Sequence, residues 1–177
     1  IQLVGTSEDI VLTISTSAGS FDVQGGLSVA GLEFTNSYWA SISRFTVRDG
    51  GVFTIAGGSI YGVSANSAAI MVESGGVLNV EGGMINGNSS YYNGGAVYLQ
   101  AGARMNMTDG EITENYSNAG GAVYIEGDAE FYMSGGTISK NNASYGGGIY
   151  IGAEGYMELL DGAIAENASY SSGGGIY

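Results

Sequence analysis

Apolar side chains return along this chain at a near-constant interval. Ile10, Phe34, Ile60, Ile85, Ile112, Ile138 and Ile164 form a ladder with rungs about 26 residues apart, and a fixed period of that size marks a solenoid, a propeller or another repeat array. Seven and five residues before the rungs stand Leu27/Val29, Phe53/Ile55, Leu78/Val80, Met105/Met107, Phe131/Met133 and Met157/Leu159. The i, i+2 spacing puts both members of a pair on one face of a short strand. After the rungs come Phe21/Val23, Phe45/Val47, Ile70/Val72, Val97/Leu99, Val123/Ile125 and Ile149/Ile151. Each coil is therefore expected to supply three short strand segments with alternate residues facing inward. A helical period fits none of these stretches, and Gly-Gly pairs interrupt them. Strands recurring at one position per coil must pair in parallel with the coils above and below, and parallel crossovers are right-handed. The pattern predicts an all-β, right-handed parallel β-helix with three sheets and about seven coils, roughly 30 Å tall at the spacing of paired strands.

Charge placement gives an independent reading of the register. In stacked coils Lys140 falls between Glu114 and Glu166, Arg104 beside Glu130, and Arg48 beside Glu73. Opposite charges across paired strands are favourable by roughly 0.2–1 kcal/mol each. Of the four basic residues only Arg44 lacks such a neighbour. The 177 residues read as a single domain, regular over 57–177 and less so over 1–56. The chain does not begin with Met and stops in mid-repeat at Gly173-Gly-Gly-Ile-Tyr177, so it reads as a piece of something longer.

The polar part of the repeat is as regular as the apolar part. Ile85 to Asn88 is followed by Gly94-Gly-Ala-Val-Tyr98, and Ile112 to Asn115 by Gly120-Gly-Ala-Val-Tyr124. Ile138 to Asn141 is followed by Gly146-Gly-Gly-Ile-Tyr150, and Ile164 to Asn167 by Gly173-Gly-Gly-Ile-Tyr177. This combination resembles the Gly-Gly-Ala-Ile and Phe-x-x-Asn repeats of the chlamydial polymorphic membrane proteins, with Ile in place of Phe, and those of large adhesin-like surface proteins from gut bacteria and methanogens. The resemblance covers 57–177 well and 1–56 only through the apolar ladder. It implies an extracellular or cell-surface passenger or stalk used in adhesion.

Composition narrows the chemistry. Four Lys and Arg against 17 Asp and Glu give a net charge of −13, which disfavours nucleic acid and anionic membrane surfaces as partners. Histidine and cysteine are absent, removing the commonest general base, the thiolate metal sites and any disulfide framework. No stretch has the length of a membrane span. The acidic run Glu126-Gly-Asp128-Ala-Glu130, with Glu154 and Glu158 nearby, raises calcium as a ligand, but the loop patterns that normally hold it are missing, and solvated charge is the simpler reading. No other cofactor is implied.

Three groups of residues remain as candidate sites. The column Asn88, Asn115, Asn141 and Asn167 sits at a corner, where stacked side-chain amides can hydrogen-bond along the coils. Sequons begin at Asn88, Asn106, Asn115, Asn142 and Asn167; Asn142 lies outside the ladder and is the candidate for glycosylation. Tyr98, Tyr124, Tyr150 and Tyr177 lie between the inward pairs of a strand and should face out, either stiffening the sheet or offering an aromatic surface to a glycan or a surface protein. Tyr91, Tyr92, Tyr116, Tyr145 and Tyr170 add to this from loops.

Three functions compete. The first is a non-catalytic adhesin or stalk module. The second is a carbohydrate-active β-helix, a polysaccharide lyase or hydrolase; the irregular cluster Trp39, Arg44, Arg48 and Asp49, with Asp49 and Glu73 as the carboxylate pair, is the place to look for it. The third is a structural filament or phage-fibre segment whose ends or sides self-associate.

Overall fold

The structure is a computed structural model that describes residues 21–35 and 44–177. It is a β-solenoid of about six turns with three parallel sheets and no helix among the described residues. The first rung, Ile10, lies outside the described residues, as does Trp39.

The first sheet holds one three-residue strand per coil: β1 (Phe21–Val23), β4 (Phe45–Val47), β8 (Ile70–Val72), β11 (Val97–Leu99), β14 (Val123–Ile125) and β17 (Ile149–Ile151). The second sheet begins with β2 (Gly26–Val29) and β5 (Val52–Ile55) and continues through β9 (Val77–Asn86), β12 (Arg104–Thr113), β15 (Glu130–Ser139) and β18 (Tyr156–Ala165). In the lower coils the rung has its own strand, β3 (Leu32–Thr35) or β6 (Gly58–Tyr61); from β9 onward it is merged with the preceding apolar pair into one ten-residue strand. Two of the three expected segments per coil thus belong to one sheet.

The third sheet is one the apolar pattern did not locate. It follows the rung and contains β7 (Ser64–Ala65), β10 (Ser89–Ser90), β13 (Tyr116–Ala119), β16 (Asn142–Tyr145) and β19 (Ala168–Ser172). Its inward positions are small or polar, with Ser90, Ser117 and Ala143 fully buried. Alternation of apolar and polar residues, the usual strand signal, is therefore absent here.

The apolar columns stack in register. Phe34 pairs with Ile60, and the line continues through Ile85, Ile112 and Ile138 to Ile164. Phe53, Leu78, Met105 and Phe131 form a second buried column. Phe21, Phe34, Phe45 and Phe53 cluster at the lower end, with the Phe34 and Phe45 ring centroids 4.8 Å apart.

Columns of left-handed residues mark the bends of each coil. The long strands bend at a column of positive-φ glycines; at Gly83 φ is +74° and an added Cβ would stand 2.7 Å from the Gly58 carbonyl oxygen. Between the second and third sheets, the residue just before the asparagine column is left-handed in every coil from the third onward. Glycine fills that place at Gly62 and Gly87, whereas Glu114, Lys140 and Glu166 occupy it with φ of 57°, 55° and 55°. A side chain in this region costs about 1–2 kcal/mol relative to the right-handed one, so the stacking around it must hold the corner in place.

Candidate functional site

The asparagine column is a continuous amide ladder. The Asn115 Oδ1 accepts from both the backbone N–H and the Nδ2 of Asn88, at 3.0 Å each. Asn141 does the same for Asn115, and Asn167 for Asn141. Each Nδ2 also donates to the carbonyl of a rung isoleucine: Asn88 to Ile60, Asn115 to Ile85, Asn141 to Ile112 and Asn167 to Ile138. Asn88, Asn115 and Asn141 are buried. One side chain thus closes the polar backbone of its own corner and of the coil beneath, which is how a buried amide avoids the cost of an unmade hydrogen bond. The sequons that start on Asn88 and Asn115 offer no accessible Nδ2.

Asn142 lies on the third sheet and is half-buried, with its Nδ2 facing the Tyr170 hydroxyl at 3.5 Å and its Oδ1 unpaired. Asn106 is tied into an outward amide chain, donating to Asn79, which in turn donates to Thr54.

The tyrosines of the first sheet form a stacked row. Tyr124 and Tyr150 are nearly coplanar in orientation, with centroids 4.9 Å apart and planes 9° from parallel. Tyr150 and Tyr177 follow at 5.2 Å and 23°, while Tyr98 meets Tyr124 at 5.2 Å and 82°. Rings that share faces with each other present mainly edges and hydroxyls to solvent, so of the four Tyr98 is turned differently from the rest. Burial, followed by the neighbouring Glu126 carboxylate, pushes the Tyr98 hydroxyl well above the ordinary tyrosine range. Burial also raises Tyr124, helped by Tyr150 and Glu126.

Charged side chains pair along the coils. Arg48 bridges Asp22 at 3.0 Å and Glu73 at 2.5 Å. Arg104 pairs with Glu130 and lies over the Tyr132 ring, 4.9 Å from its centroid. Lys140 sits in register between Glu114 and Glu166, yet makes no ion pair among the described residues. All three occupy the left-handed corner and are exposed, where solvent screens the attraction and leaves the side chains unpinned. Burial lowers the proton affinity of Arg44, whose Nε has no hydrogen-bond partner.

Glu73, one of the two carboxylates considered for glycan cleavage, is held by Arg48. Among the described residues no group of three or more Asp or Glu side chains converges to hold a cation, the run from Glu126 to Glu130 included. An open groove of about 530 Å³ follows the glycine bend, floored by Gly83, Gly110 and Gly136 and rimmed by Asp109 and Glu111. The Asp109 carboxylate there accepts from the Gly110 N–H.

The three most exposed aromatic residues among those described, Tyr91, Tyr170 and Tyr92, lie on the third sheet and its edge, while Tyr156 and Tyr177 are exposed elsewhere. Tyr91 and Tyr92 follow β10, Tyr116 opens β13, and Tyr145 and Tyr170 belong to β16 and β19, all of them exposed. The sequence names these tyrosines but places them in loops; without an apolar alternation nothing marks the strands that line them up.

Comparison of the chain with protein-family models, with curated proteins and with solved structures returns no match.

Proposed function

We propose that this chain is a non-catalytic module of an extracellular or cell-surface adhesin or stalk. It is a stiff rod whose outward faces carry the contact with a host, a neighbouring cell or a glycan. The observation that carries this reading is the coil-to-coil continuity of its fastenings. The same corner is closed by an amide in successive coils from Asn88 to Asn167, and the same outward position is stacked with tyrosine from Tyr98 to Tyr177. A repeat array with nearest-neighbour contacts of this kind offers a long surface rather than a deep pocket. The resemblance of the Ile-x-x-Asn and Gly-Gly-Ala-Val repeat to polymorphic membrane proteins supports the same reading.

The test is retention of the purified chain on a broad glycan array, with and without calcium, beside a variant carrying Tyr98→Ser, Tyr124→Ser and Tyr150→Ser. Selective retention identifies an adhesive rod, and silence with an intact fold identifies a spacer. Release of oligosaccharide products from any polysaccharide overturns the non-catalytic reading.

A further inference from the structure

We propose that the outer face of the third sheet is a contact surface for an uncharged glycan chain, an inference that rests on the adhesin reading above. Three observations converge on that face. First, it carries the three most exposed aromatic residues among those described, Tyr91 at 74%, Tyr170 at 71% and Tyr92 at 60%, with Tyr116 and Tyr145 also exposed, whereas Tyr98, Tyr124 and Tyr150 of the first sheet are half-buried in their own stack. The Tyr91 and Tyr92 rings meet edge to face, at 5.1 Å and 87°, so one of the pair keeps a face unoccupied by the other.

Second, the strands of this sheet carry no charge in a chain of net charge −13, the nearest charged side chains being Glu114, Lys140 and Glu166 at the corner before it. No residue of the strands Ser64–Ala65, Ser89–Ser90, Tyr116–Ala119, Asn142–Tyr145 and Ala168–Ser172 is ionisable as an acid or base other than tyrosine. An acidic or sulfated polymer would meet the repulsion of the whole molecule there, and a cationic one would find its partners on the carboxylate-bearing second sheet instead. What remains complementary to the face is a neutral ligand.

Third, amides and hydroxyls stand between the rings. Tyr116 is in register with Ser89 on one side and Asn142 on the other, and Asn118 is exposed on the same strand. Tyrosine, serine and asparagine supply rigid amphipathic area together with adaptable donors and acceptors. A sugar ring offers the matching pair of surfaces, an apolar C–H face for the aromatic ring and hydroxyls for the amides. Tyr116 stands opposite Ser89 and Asn142, and Tyr145 opposite Ala119 and Ser172, so across strands about 4.8 Å apart the rings are staggered among smaller side chains rather than stacked in register.

The experiment compares three proteins on an array of neutral, uronic-acid and sulfated glycans: the unaltered chain, the Tyr98, Tyr124 and Tyr150 to Ser variant, and a variant with Tyr91→Ser, Tyr92→Ser and Tyr116→Ser. The last three side chains are exposed, and circular dichroism confirms that the fold is kept. Retention on neutral glycans that falls at least tenfold in the Tyr91, Tyr92 and Tyr116 variant, and persists in the other, supports the surface. Loss confined to the Tyr98, Tyr124 and Tyr150 variant overturns this surface and leaves the adhesin reading standing. Preference for anionic glycans, or contact only with a protein, overturns it in the same way. Silence of the unaltered chain overturns the surface and leaves only the spacer form of the adhesin reading.

Discussion

Replacing Asn115 tests the amide ladder at a fully bonded point in its middle. The side chain is 1% exposed and donates to Ile85 O, Thr113 O and Asn141 Oδ1, each at 2.9 Å. Its Oδ1 accepts from the backbone N–H and the Nδ2 of Asn88. In Asn115→Ala the Asn88 Nδ2 keeps Ile60 O, but the Asn88 N–H loses its acceptor inside the corner. An orphaned buried donor costs about 1–3 kcal/mol, and the three hydrogen bonds lost from the Asn115 Nδ2 add about 1 kcal/mol each, for a total of about 4–6 kcal/mol. Asn115→Asp separates hydrogen bonding from packing, because the shape is kept while the donors are replaced by acceptors facing Ile85 O and Asn141 Oδ1. Burial and those carbonyl oxygens raise the folded-state pKa of the new carboxyl above the ordinary value of about 3.9. Its neutral form is then favoured, so stability is greatest at low pH and falls as pH rises from about 4 through the raised value. The assay is urea unfolding followed by circular dichroism at several pH values, read as the shift in midpoint. A cost below about 1 kcal/mol for Asn115→Ala, or an Asn115→Asp penalty that does not change with pH, refutes the hydrogen-bond account.

Three further outcomes follow from the same geometry. Lys140→Gly relieves a left-handed residue with φ of 55° that makes no ion pair among the described residues, and raises stability by about 0.5–1 kcal/mol in the same unfolding assay, the relief exceeding the added chain entropy. Gly83→Ala puts a Cβ 2.7 Å from the Gly58 oxygen at φ of +74°, so it lowers stability by at least about 2 kcal/mol, measured as an earlier midpoint. The hydroxyls of Tyr98 and Tyr124 are raised by burial first and by neighbouring acidic groups after it. The phenolate absorbance of the native protein therefore appears at higher pH than that of the unfolded chain, and the stability these residues contribute is complete below about pH 10 and declines above it.

The period, the inward columns and the parallel pairing were legible because each depends on side chains that cannot face water. The line from Phe34 to Ile164 runs in register as the spacing requires. Arg48 and Arg104 find the carboxylates that stacking placed beside them. The third sheet escaped notice because Ser90, Ser117 and Ala143 point inward where a strand pattern calls for larger apolar groups. The mutual orientation of the tyrosine rings was also beyond reach. Spacing fixes that Tyr98, Tyr124 and Tyr150 are neighbours, but whether rings stack or cross is decided by rotamers, which the spacing does not encode. Lys140 shows the limit of register: residues aligned in sequence still need side chains that converge.

The side-chain links between coils span about one repeat, with separations of 25 to 27 residues for the Arg48–Glu73, Arg104–Glu130 and Asn88–Asn115 pairs. Tension applied along the rod therefore cannot be shared among distant parts of the chain. Such a body yields from an end, one turn at a time, each released turn paying out about 26 residues or some 90 Å of extended chain. A molecule built this way absorbs mechanical work in small equal steps and shortens again as turns rewind on the remaining template. A tether between moving surfaces would gain from that behaviour.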